Sequence, residues 1–222
     1  MQEEKGGEGM YKNILFDFDG TVFDTVEGIT KSVRYAINKY GLDAELEELR
    51  CFAGPPLTDM FAEKFGFSKE QAVEAVEFYR ERYRPIGLYE GQIFPGVKEL
   101  LFRLREEGFR LAVASSKPQP MIEELMRREE IYDCFHVVCG SLDDAHNSKQ
   151  EIVRRALREL EASEEESVLV GDTKYDVIGA HQCSIACIGV QYGYAAPGEL
   201  EEHGVDFLVK DTQELLKLLL GK

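Results

Sequence analysis

Positive charge is scarce in this chain. Across its 222 residues, 26 lysines and arginines stand against 42 aspartates and glutamates, a formal net charge of −16. That balance excludes nucleic acid polymers and anionic membrane surfaces as main partners, because both recruit basic proteins. Long apolar runs are missing too. Leu215–Leu220 is among the longest candidates and falls far short of the roughly 18 residues that span a bilayer. The first ten residues, MQEEKGGEGM, contain no apolar signal region and read as a flexible leader. The cysteines (Cys51, Cys134, Cys139, Cys183 and Cys187) are odd in number, so no disulfide framework is expected. Cys183 and Cys187 read as small buried apolar residues, not as a metal or redox pair. These absences point to a cytoplasmic protein without a membrane partner. They leave open how so acidic a protein would receive an anionic substrate.

Apolar residues make up 44% and charged residues 31%, the balance of a globular chain able to bury its own core. The length suits one large domain, or one domain with a modest second module. Asn13-Ile14-Leu15-Phe16-Asp17-Phe18-Asp19-Gly20 reads as a buried strand feeding a loop. About 60 residues after it read as purely helical, with apolar positions at Val26, Ile29, Val33, Ala36 and Ile37 and further helices over 57–64 and 69–83. From Tyr89 onward strands and helices alternate, with strands expected at 110–114, 135–139, 167–171, 185–190 and 206–209. The fold class is therefore α/β: a Rossmann-like, doubly wound parallel sheet with a small all-helical cap inserted after the first strand. The expected division is a leader at 1–10, a core at 11–24 and 89–222, and a cap at 25–88.

Ligands of such sheets bind at the carboxyl ends of the strands. Asp17 and Asp19 stand there after the first strand, Ser115 and Ser116 after another, and Asp172 and Asp176 after a third. Four acids converging on one sheet edge repel one another unless a cation sits among them. Oxygen-rich sites of this kind suit Mg²⁺, which also binds substrate phosphate. Lys117 and Lys149 add cations. Carboxylates, a divalent metal, hydroxyl donors and a lysine together suit a phosphoryl group, and a carboxylate can serve as its nucleophile.

The motifs resemble those of the haloacid-dehalogenase-like (HAD) phosphatases, in the same order and with the same strand-end placement. Asp17-Phe18-Asp19-Gly20-Thr21-Val22 is similar to the first motif, Ser115 to the second, Lys149 to the third, and Gly171-Asp172-Thr173-Lys174-Tyr175-Asp176 to the fourth. The resemblance implies that Asp17 is the nucleophile and Asp19 the general acid and base. It implies that Ser115, Lys149 and the backbone around Phe18 and Ser116 hold phosphate. It also implies that Mg²⁺ is bound by Asp17, the Asp19 carbonyl and Asp172, with Asp176 as an outer ligand or an orienter of Lys149. Dehalogenases of the superfamily lack the second aspartate, so Asp19 argues for phosphate chemistry.

The helical insertion, Gly54-Pro55-Pro56-Leu57, Phe94-Pro95-Gly96-Val97 and Gly189-Val190-Gln191-Tyr192-Gly193 resemble the phosphoglycolate-phosphatase-like subgroup. The substrate implied is a small phosphorylated metabolite, with phosphoglycolate leading. A 5′-nucleotidase, a pyrophosphatase and a sugar phosphomutase are the alternatives. His146 stands about where relatives often carry an arginine. Thr25, Lys31, Arg34, Lys64, Arg80, Arg82 and Arg84 are the cap candidates for a substrate anion. A dinucleotide-binding module is disfavoured, because acids occupy the place of its glycine-rich phosphate loop.

Overall fold

A computed structural model describes residues 11–142 and 148–221. The expected leader and His146 lie outside the described residues. In chain order the strands are β1 (Asn13–Phe16), β2 (Phe23–Asp24), β3 (Gln92–Ile93), β4 (Arg110–Pro118), β5 (Val137–Ser141), β6 (Ser167–Gly171), β7 (Ala186–Val190) and β8 (Phe207–Val209). All four residues of β1 are buried, as expected of a strand covered on both faces. Ile14 and Phe16 face one apolar layer and Leu15 the other, which is the period of two that a strand imposes.

Six strands form a parallel sheet in the order β5-β4-β1-β6-β7-β8. The chain steps outward from β1 to β4 and β5, then returns to the other side of β1 as β6. The reversal falls between β1 and β6 and opens a crevice at their carboxyl ends. The Asp17 N–H donates to the Val170 carbonyl (2.9 Å) at that place, so the two strands stay joined up to the crevice.

Helices α1 (Val26–Asn38), α2 (Leu57–Phe65) and α3 (Lys69–Tyr83) form the insertion, with a 3₁₀ turn over Leu46–Phe52. Phe52, Phe61, Phe65 and Phe67 pack ring against ring inside it. Ser68 caps α3 by accepting from the Gln71 N–H, as the sequence leads one to expect. The segment is not helical from end to end, however. Its entry and exit are closed by β2 and β3, an antiparallel pair in which Phe23 faces Ile93. Two-residue strands are too short to show any period in a sequence.

The sheet is covered by α4 (Val97–Glu106), α5 (Gln119–Arg128), α6 (Lys149–Glu159), α7 (Lys174–His181), α8 (Glu199–Glu202) and α9 (Thr212–Leu219). Strand β4 runs to Pro118, four residues beyond the expected end, with a bulge in its pairing to β5 between Ala114 and Pro118. That extension carries Ser115, Ser116 and Lys117 on the strand itself. The five cysteines are free thiols. Among the described residues no helix is long and apolar enough to cross a membrane.

Candidate active site

Three carboxylates meet in the crevice. Asp17 follows β1 and Asp172 follows β6, so the parallel register of the two strands sets them side by side. Asp176 comes from the first turn of α7. One ligand atom from each lies within 4.8 Å of the others, and Asp172 and Asp176 are fully buried. Asp176 also completes the cap of its helix. Its Oδ2 accepts from the Asp172 N–H (3.2 Å), the Thr173 N–H (3.0 Å) and the Thr173 hydroxyl (3.0 Å). Its Oδ1 accepts no well-aligned hydrogen bond, although the Lys149 ammonium stands 2.7 Å away.

Lys149 is the first residue of α6, and Ser148 before it caps that helix by accepting from the Glu151 N–H. From there Nζ donates to Asp17 Oδ1 (2.7 Å) and to the Ala114 carbonyl (2.9 Å). Burial disfavours its charge, but Asp17 and Asp176 outweigh burial and hold the ammonium above the usual lysine range. The carboxyls are pushed the other way. Burial raises Asp17 to about 6, with Lys149 opposing the rise and Asp176 and Asp19 adding to it. Burial, then Asp176 and Asp17, raises Asp172 well above the usual carboxylate range.

The donor set fits a hard divalent cation. Three close carboxylates share one ammonium, and burial with mutual repulsion raises Asp17 and Asp172, so ionising all three calls for a further cation. All donors are oxygens, which suits Mg²⁺. A consequence for stability follows by linkage. Asp17 has a folded pKa of about 6 and an unfolded value of 3.8. Between those values the folded chain keeps a proton that the unfolded chain has lost, so the contribution of Asp17 to stability falls as pH rises through that window. Mg²⁺ is therefore expected to raise the melting temperature more at pH 7.5 than at pH 5. Equal shifts in thermal melts at the two pH values would refute this electrostatic account.

Asp19 faces elsewhere. Its carboxylate accepts from Lys117 Nζ at 3.1 and 3.3 Å, and Lys117 donates again to the Tyr83 hydroxyl of α3 at 2.5 Å. The Asp19 carboxylate therefore stands apart from the Asp17, Asp172 and Asp176 cluster. The Phe18 ring is buried and stacked on Phe23 (5.3 Å). Ser115 is buried within β4, just past Ala114 where its pairing to β5 becomes irregular, and Ser116 beside it is exposed.

Sequence reasoning missed the partners of Asp172. The Thr21 hydroxyl donates to its Oδ1 (3.1 Å) and the Tyr194 N–H to its Oδ2 (2.8 Å). Gly20 and Gly193 close in on the same carboxylate. A Cβ on either would stand 2.1 and 2.2 Å from Asp172 atoms, so only glycine lets the backbone come this near. Thr21 and Gly20 lie within the first motif, where their residue types were a usable signal. Among the cap candidates, Arg82 and Lys31 pair with Glu90, Arg34 pairs with Asp43 and Arg80 with Glu77. Lys64 and Arg84 are exposed, and Thr25 is buried.

A model of the haloacid dehalogenase-like hydrolase family matches residues 14–190. A 5′-nucleotidase of Pseudomonas aeruginosa is 40% identical over 211 residues, covering 94% of this chain and 96% of the relative. The pyrophosphatase PpaX of Halalkalibacterium halodurans is 30% identical, covering 93% and 95%. The crystal structure of a predicted phosphatase from Clostridium acetobutylicum superposes with a TM-score of 0.91 at 36% identity, covering 96% of this chain and all of the other.

Proposed function

The chain belongs to the haloacid dehalogenase-like hydrolases as one of their phosphatases, and from that premise we propose a Mg²⁺-dependent reaction on a small phosphomonoester through Asp17. The supporting observation is the Asp17–Lys149–Asp176 arrangement beside Asp172, an acid at a strand end with a fixed ammonium against it. One Asp17 oxygen attacks phosphorus while the bond to the leaving oxygen breaks, giving a phospho-aspartate. Asp19 gives a proton to the leaving oxygen, then takes one from the water that attacks phosphorus and frees Asp17. Lys149, Ser115 and the backbone of Phe18 and Ser116 hold the phosphate oxygens. Asp17, Asp172, the Asp19 carbonyl and, at longer reach, Asp176 would hold Mg²⁺, which supplies charge neutralisation of the transferring group.

The helical insertion, taken as residues 25–88, serves as the cap that encloses the substrate. Nucleoside 5′-monophosphates are favoured, on the name of the 40% identical relative, over the phosphoglycolate suggested by the motifs. The free thiols support a cytoplasmic setting. The test is phosphate release from nucleoside monophosphates, phosphoglycolate, pyrophosphate and hexose phosphates, with Mg²⁺ or with a chelator. We expect nucleoside monophosphates to lead by at least about tenfold in kcat/KM, a gap of about 1.4 kcal/mol, and the chelator to abolish release. Sugar bisphosphate as the main product from a hexose phosphate would indicate a mutase. No phosphate release from any of these compounds would sink the proposal.

A further inference from the structure

The segment Gln191–Tyr194 leaves β7 at the carboxyl end of the sheet and has no part in the phosphoryl transfer described above. Both of its tyrosines nevertheless reach the chain that leads from β1 into the helical insertion. The Tyr192 hydroxyl donates to the Thr21 carbonyl (3.0 Å). Tyr194 is engaged at both of its ends. Its backbone N–H donates to Asp172 Oδ2 (2.8 Å), while its hydroxyl accepts from the Thr25 N–H (2.7 Å) and donates to Asp24 Oδ1 (2.9 Å). Asp24 closes β2 and Thr25 directly precedes α1, so the hydroxyl grips the entry to the insertion. Phe94, which follows β3 on the way back from the insertion, packs beside both rings at 5.0 and 6.5 Å. Gly193 lies against Asp172 with no room for a Cβ, which keeps the Tyr194 N–H at the carboxylate.

We infer that Tyr194 is a positioning residue that couples the Asp172 carboxylate to the Asp24–Thr25 linker, so that cation binding in the crevice and order at the entry to the insertion rise and fall together. The inference rests on the proposed reading of Asp172 as a metal ligand. A cation drawing on Asp172 fixes the carboxylate, which fixes the peptide N–H bonded to Oδ2. At the far end of the same residue, along its stiff ring, the hydroxyl then holds the Thr25 N–H. The linkage is reciprocal, so whatever orders the linker tightens the cation by the same factor.

Hydrogen exchange of the full chain, followed on peptides covering residues 24–30, and calorimetric Mg²⁺ titration test this together. In the unaltered protein Mg²⁺ is expected to slow exchange at the linker about fivefold, a coupling within the usual allosteric range. Tyr194→Phe keeps the ring and the backbone N–H but loses the hydroxyl. It should abolish the Mg²⁺ response of the linker and weaken Mg²⁺ binding by about the same factor. Tyr192→Phe, which loses a hydroxyl bonded to the Thr21 carbonyl ahead of those peptides, should keep the response. An unaltered protein whose linker exchange ignores bound Mg²⁺ overturns the coupling, and this measurement needs no variant. So does a Tyr194→Phe protein that keeps the full response. Mg²⁺ binding that is absent, or that survives in Asp172→Asn unchanged, overturns the ligand reading and the coupling with it.

Discussion

Asp17→Asn is expected to lower phosphate release by at least about 10⁴-fold and, in metal-free protein at pH 7.5, to raise the melting temperature. The first effect is the loss of a nucleophile for which the crevice offers no substitute. Asp19 is held by Lys117, and Asp172 by Thr21 and Tyr194. The second follows from the direction in which burial and Asp176 push the Asp17 carboxyl. A site that raises a carboxyl favours its neutral form, and asparagine is permanently neutral at nearly the same volume. Its side-chain oxygen can still accept from Lys149. Steady-state phosphate release and thermal melts in chelator check both halves. Activity retained within tenfold would remove Asp17 from the chemistry, and a lower melting temperature would show that the acids are better compensated than their burial implies.

Lys149→Met should act with the opposite sign on stability. The site raises this ammonium despite burial, so it favours the charged form. Removing that charge strands Asp17 and Asp176 in the interior with no cation between them. Breaking a buried pair from one side costs about 3–5 kcal/mol. For a domain of this size that is a fall of about 10 °C in melting temperature. Turnover should fall at least about 10³-fold, because phosphate oxygens lose the same charge. Mg²⁺ should restore part of the stability and little of the activity. Melts of the variant with and without Mg²⁺ decide the matter, and a variant as stable as the parent without metal would mean that the acids share protons instead.

The parts of this molecule that a sequence can express are those written in short, local patterns. A strand buried on both faces shows as the unbroken run before Asp17, and a capped helix shows as Ser68 three residues ahead of Gln71. The parallel sheet follows from strands alternating with helices. Acids directly after apolar runs were likewise visible, because strand ends converge in this architecture. The attachment of Lys117 to Asp19 and Tyr83 was not visible. It depends on where α3 settles over the sheet, a matter of packing between residues 34 positions apart. Tyr194 was hidden for a related reason. It reaches Asp172 with a backbone N–H, a group every residue but proline owns, so no residue type advertises it. The pair β2 and β3 offered only two residues each.

Asp176 carries a consequence for how the start of α7 is spelled. A threonine cap is ordinarily answered three residues later by glutamate or glutamine. Here Thr173 is answered by aspartate, one methylene shorter. One oxygen of that short side chain completes the cap and the other remains 2.7 Å from Lys149. Glutamate would satisfy the local rule and carry the carboxylate past the lysine. The vocabulary of helix initiation has been bent at this position to serve a distance measured across the sheet. A redesign that optimised α7 as an isolated helix would write the wrong letter there.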